Sequence, residues 1–291
     1  MSELDANTLR RDLSKLVEAE LLYQRGVPPQ ATYTFKHALI QEAAYQTLLK
    51  STRQQYHHRI AQVLEAHFPE LVETQPELLA HHYTEAGLGA EAIPYWQRAG
   101  EKAAGRPAYL EAISHLSKAL ELLDVLPPSP ARVQREIALR LVRGASLMAA
   151  KGHAAPEVEL EYRRARALCQ HIEESPLLFR VLGGLHVFYL ARGELETARQ
   201  FARQCLTLTE GGADPAHVVR SNTMLGQVGL HLGEVAQAEE HLGHAIGLYH
   251  SRSIAPVPPD RTPSWCVCPM TPGASGSSDS RSAPFSGAAR P

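Results

Sequence analysis

Two segments of this chain, YLARGELETARQFARQCLTL (189–208) and LHLGEVAQAEEHLGHAIGLY (230–249), carry one pattern twice, with Gly193 and Gly233 forty residues apart. In each, Gly-Glu opens a helix-compatible run, an alanine follows (Ala198, Ala238), and an apolar pair comes later. A helix pair of this kind cannot bury both of its faces alone and is stable only when stacked on its own likeness. The pattern reaches upstream. Ala92 in AEAIPYWQRAGEKA and Ala112 in YLEAISHLSKALELL hold the same place in their runs, where a small side chain lets two helices approach closely.

Punctuation between the apolar-periodic runs agrees with this. Gly87-Leu88-Gly89, Gly105-Arg106-Pro107, Pro127-Pro128, Gly152, Ser175-Pro176, Gly193, Gly211-Gly212 and Gly233 remove backbone donors or permit positive φ, and so end helices. They predict helices over 76–87, 89–104, 108–125, 130–151, 156–171, 175–192, 194–210, 215–232 and 234–250. The expected fold class is all-α, a right-handed tetratricopeptide-like array over 75–250. Its repeat is longer than the roughly 34 residues of the standard unit.

The first 70 residues read differently. Leu9, Leu13, Leu16 and Val17 make one helical face, Leu21–Arg25 and Thr32–Lys36 read as two short strands about a Gly-Val-Pro-Pro turn, and helices follow at about 37–49 and 52–67. Helix, two-stranded wing, helix is the end of a winged-helix unit. Residues 1–70 are therefore expected to be a truncated winged-helix remnant, with Met1 falling inside a domain.

TYTFKHALIQEAAYQTLLKSTRQQYHHRIAQVLE (32–65), together with LVEAELLYQRG (16–26), ELLAHHYTEAG (77–87) and AIPYWQRAGEKA (92–103), resembles the region that follows the ATPase in bacterial adenylate/guanylate cyclase–STAND ATPase–tetratricopeptide fusion proteins. The resemblance spans about residues 8–250. It implies a sensor or scaffold arm, with nucleotide-binding and cyclase domains lying N-terminal to Met1. It also implies that His37 stands where related ATPases carry a nucleotide-sensing histidine, although Ala38 replaces the aspartate that often follows. The chain has no GxxxxGK[ST] phosphate loop and no paired metal-binding aspartates in a strand context. The expectation is a non-catalytic chain with no cofactor, no metal and no small-molecule substrate, binding protein or peptide partners along a concave repeat face; the alternatives are a parent protein that is itself an adenylate cyclase or ATPase, and a winged-helix transcriptional regulator.

Composition sets further limits. The chain has 29 Lys+Arg against 31 Asp+Glu, a net charge of −2, which gives no electrostatic footprint for nucleic acid. Residues 1–60 hold eight basic residues (among them Arg10, Arg11, Lys15, Lys36, Lys50, Arg53 and Arg59) against six acidic ones, too small an excess for several phosphate contacts. No apolar run reaches the roughly 20 residues of a membrane span, and the start lacks a signal core, so the expected location is cytoplasmic.

The composition changes abruptly at residue 251. Residues 251–291 hold eight of the 20 prolines and nine serines, with neither Leu nor His. Read from each third base, the codons of Cys266–Asp279 can spell CLSYDAWGLWLLG, the kind of phrase that the resembled family would place next. Residues 251–291 are thus expected to be a disordered tail produced by a change of reading frame. Cys266 and Cys268, without a histidine near them, are an accidental pair rather than a metal or redox site.

The remaining side chains of interest read as structure. Cys169 and Cys205 lie on apolar helical faces and are expected to be buried thiols. His57-His58 and His81-His82 diverge by about 100° within each pair and do not converge on a metal. Of these, His58 and His81 are expected to face packing partners. Tyr95, Trp96, Phe188 and Tyr189, near repeat turns, are expected to be core, with some able to line a peptide groove.

Overall fold

A computed structural model describes residues 6–28, 31–170, 177–210 and 214–251. The tail from 252 onward, with Cys266, Cys268 and nearly all of the proposed frame-shifted stretch, lies outside the described residues. So do residues 171–176 and 211–213.

The chain opens with α1 (Ala6–Glu18) and an antiparallel hairpin of β1 (Leu22–Arg25) and β2 (Thr32–Phe35), in the register Leu22 opposite Phe35 and Arg25 opposite Thr32. Then come α2 (Ala38–Gln46), α3 (Lys50–His67), α4 (Pro69–Thr74), α5 (Pro76–Glu85), α6 (Gly89–Gly105), α7 (Tyr109–Asp124), α8 (Pro130–Lys151), α9 (Pro156–Cys169), α10 (Leu178–Ala191), α11 (Leu195–Thr207), α12 (Pro215–Leu232) and α13 (Val235–Ser251). The predicted helices are all present. The short α4 is additional: no helix is predicted between 67 and 76, but Pro69 is the first residue of a helical turn, where its missing N–H costs nothing.

From α5 onward each helix packs on the next, and α6, α8, α10 and α12 also touch one another in succession. These four form an inner row, and α7, α9, α11 and α13 an outer row. This is a tetratricopeptide-like helical repeat array. Its turns follow local chemistry. Gly233 caps α12 in the left-handed region at φ 77°, and Gly193 has φ 74° at the equivalent place after α10. Ser129 and Asp214 accept hydrogen bonds from the N–H groups of Arg132 and Ala216 at the starts of α8 and α12, each ahead of a proline in the first turn.

The alanines marked by the repeat, Ala92, Ala112, Ala198 and Ala238, are all fully buried. A second periodic feature accompanies them. A Cβ on Gly100, Gly144 or Gly226, all in the inner row, would meet Leu116, Tyr162 or Leu242 of the following outer helix at 2.5–2.7 Å. Tyr162 is wedged further, because a Cβ on Gly184 of α10 would lie 2.0 Å from its ring. One ring therefore fills the gap between two successive inner helices. In α10 the size pattern inverts. His186 is fully buried in the inner helix, and the facing outer helix α11 carries Ala202 four residues after Ala198, where α7, α9 and α13 have Leu116, Tyr162 and Leu242.

Two hydrophobic clusters result, and α8 belongs to both. Its Leu139 joins the cluster of α3, α5, α6 and α7, and its Ile137 and Leu141 join that of α9 to α12. Between α8 and α9 lies a buried charge network. Arg140 bonds Glu136 (2.9 Å) and Glu161 (3.1 Å), and Arg143 bonds the other Glu161 oxygen (2.5 Å). Two carboxylates this buried are held by guanidinium forks that satisfy their lone pairs.

Candidate functional site

The sequence-predicted site residue, His37, is the N-cap of α2. Its carbonyl accepts from the N–H groups of Ile40 and Gln41 at 3.0 and 3.3 Å, while its ring is exposed and makes no capping bond. One turn further on, Gln41 enters a cleft of about 610 Å³ bounded by α2, α3 and α5.

Glu42, Tyr45, Arg53, Tyr56 and Ile60 line this cleft with His57, His81, His82 and Glu85. The histidine pairs do diverge, and the members that meet come one from each pair: His57 from α3 and His82 from α5, Nδ1 to Nδ1 at 2.8 Å. This corrects the expectation for His58, which is exposed; His81 is exposed as well, yet its ring centroid lies 5.8 Å from that of His57. Tyr45 Oη sits 3.0 Å from His57 Nε2. A relay Tyr45–His57–His82 thus crosses three helices. Burial holds both imidazoles below the ordinary histidine pKa, His82 down to about 4. The neighbouring histidines add to this effect and Glu85 opposes it. Among the described residues no group of three or more His, Cys, Asp or Glu is arranged to hold a metal ion.

A second cluster fastens α3 to the array. Glu65 accepts from the hydroxyls of Tyr83 (2.5 Å) and Tyr95, whose rings stack at 5.8 Å. Burial, and then the bond to Glu65, raise both phenols, Tyr95 to about 12. Tyr95 is half-buried, whereas Trp96, Phe188 and Tyr189 are buried core. Trp96 donates to Thr84 Oγ1 at 2.9 Å and Tyr189 to Glu159 at 2.7 Å, so neither ring lines a groove.

Cys169 and Cys205 are both buried, and burial pushes Cys205 up to about 12, out of the nucleophilic range. The basic residues at the chain start are interleaved with acids. Arg11 and Lys15 flank Asp12 at 3.6 and 3.3 Å, and Lys36 pairs with Glu20 at 3.4 Å. Among the described residues no helix is long and apolar enough to cross a membrane.

The inner row is the other surface of interest. Gly183 of α10 lies against α12, where a Cβ would be 3.1 Å from Met224 and 3.9 Å from Arg220. Arg180 and Val187, three residues before and four after it, share its stripe and are half-buried.

One solved structure agrees with the fold. The crystal structure of BtubC (BKLC) from P. vanneervenii superposes with a TM-score of 0.50 at 17% identity, covering 78% of this chain and 97% of that one. A crystal structure of nearly identical TPR-like repeats from Podosopora anserina gives a TM-score of 0.42 at 18% identity, covering 64% of this chain and 97% of that one. An uncharacterized protein of Rhizobium meliloti (strain 1021) is 22% identical over 254 residues, 87% of this chain. The chain spans only 24% of that relative's length. No family model matches the chain.

Proposed function

We propose that this chain is a non-catalytic protein-interaction and regulatory segment, working in the cytoplasm as part of a signalling ATPase or nucleotide cyclase. The observation that carries the reading is the inner row α6, α8, α10 and α12, a continuous wall of stacked helices suited to grip an extended or helical peptide. Support for a larger parent comes from the sequence resemblance over residues 8–250 and from a relative about four times longer than the stretch it shares with this chain. On this reading residues 1–70 are the winged-helix end that adjoins a nucleotide domain, with His37 facing that domain from its exposed position at the start of α2. The array over 75–250 is the arm that takes the partner.

Peptides selected from a displayed library against the chain test this reading. Binding should be lost in Arg180→Glu and Val187→Glu and kept in Leu160→Glu and Arg203→Glu, exposed on the outer row. Peptide binding indifferent to the inner-row changes would refute the assignment of the surface. Micromolar ATP binding by the chain alone, measured calorimetrically, would refute the non-catalytic reading.

A further inference from the structure

We propose that the Tyr45–His57–His82 relay is an acid-released latch holding α2, and with it the helix–hairpin segment, against the first helix of the repeat array. The geometry carries this. No side chain of α2 is buried, so apolar packing does not fix its place. It is held on α3 by polar contacts: Tyr45 to His57, the Arg53 guanidinium 4.9 Å over the Tyr45 ring, and Arg53 Nη1 donating to Gln46 at 3.1 Å. His57 in turn joins α5 through His82.

A hydrogen bond between two imidazole nitrogens needs one nitrogen with a proton and one without. In the neutral relay Tyr45 donates to His57 Nε2, and His57 Nδ1–H donates to His82 Nδ1. One added proton can be absorbed by reversal: His82 then donates to His57 Nδ1, and His57 Nε2–H donates to the Tyr45 oxygen. A second proton cannot, because it sets two N–H groups and two positive charges face to face across 2.8 Å.

The other charged and titratable groups facing the pair are Glu42 on α2, Arg53 and Tyr56 on α3, and His81 and Glu85 on α5. Arg53 and a protonated His81 oppose the added charge, while Glu85 favours it. The latch is therefore closed at neutral pH and opens in acid, below the ordinary histidine range.

The test uses the full chain. The backbone amides of Tyr45 and Gln46 are followed by 1H–15N NMR from pH 7.5 to 4. They should move with a steep, two-proton dependence and a midpoint below pH 6, and His82→Gln, which leaves only one imidazole to charge, should abolish that step. Glu85→Gln, at an exposed position and neutral toward folding, should shift the midpoint to lower pH. The latch is refuted by amides that stay put through the range, by a step that survives His82→Gln, or by a midpoint indifferent to Glu85→Gln.

Discussion

Gly184→Ala offers the sharpest test of how the repeats pack. A methyl at this position would lie 2.0 Å from Tyr162 Cε1 and 2.4 Å from Cδ1 and Cζ, where carbon atoms need about 3.5 Å. The ring cannot retreat, because on its other side the Gly144 position leaves only 2.7 Å between a Cβ and Cε2. Relief requires either that α8 and α10 separate or that Tyr162 leaves its slot. Overpacking costs about 1–3 kcal/mol, and loss of a buried aromatic about 3–5 kcal/mol. Against this, alanine gains about 1 kcal/mol of helix propensity over glycine. With an overlap this deep the cost lies at the upper end of the overpacking range, so the expected net loss is about 2 kcal/mol, read as a fall in the urea midpoint of the circular dichroism at 222 nm. Gly243→Ala in α13, with nothing within 4 Å of its Cβ, is the internal control and should raise stability by a few tenths to about 1 kcal/mol. Tyr162→Leu, which installs the residue type of Leu116 and Leu242, should recover most of the loss in the double variant, with a coupling energy of about 1–2 kcal/mol. A Gly184→Ala midpoint at or above that of the parent would refute the wedged-ring account.

Two further predictions follow from buried charge. Glu161→Gln leaves Arg143 and Arg140 facing a neutral amide beside Glu136, and should cost about 3 kcal/mol in the same unfolding assay; a loss under about 0.5 kcal/mol would mean that the network is solvated. His186 Nδ1–H donates to the carbonyl oxygen of Ala198 (3.0 Å) while its Nε2 has no hydrogen-bond partner among the described residues, and burial lowers its pKa to about 4. The unfolded chain binds the proton more readily, so the stability linked to this residue is constant above about pH 6.5. It falls as the pH drops toward about 4, by about 3 kcal/mol in all. His186→Leu should flatten that part of the stability profile, and an unchanged profile would show that the imidazole is hydrated in the fold.

The helical array was legible because its signals are local. Gly193 and Gly233 stop helices, Ala198 and Ala238 mark close approach, and the proline and glycine breaks divide the rest. α4 escaped because Pro69 reads as a breaker when viewed alone, whereas at the first position of a helix it is a starter. The relay was not legible: His57 and His82 are 25 residues apart, and only the packing of α3 on α5 decides which member of each pair turns inward. The glycine–ring contacts were hidden for a similar reason. Tyr162 meets Gly144 in its own pair and Gly184 in the next, and no single repeat period describes both. The inversion at His186 and Ala202 further breaks the regularity that a sequence pattern would need.

The double membership of α8 bears on where the chain can be divided. A cut before Pro130 takes α8 away from the first cluster and exposes the face that Leu139 covers. A cut after Lys151 strips the second cluster of Ile137 and Leu141. Neither half keeps its core, so the array behaves as two rooms sharing one wall, and dissection at its apparent midpoint damages whichever side loses that wall.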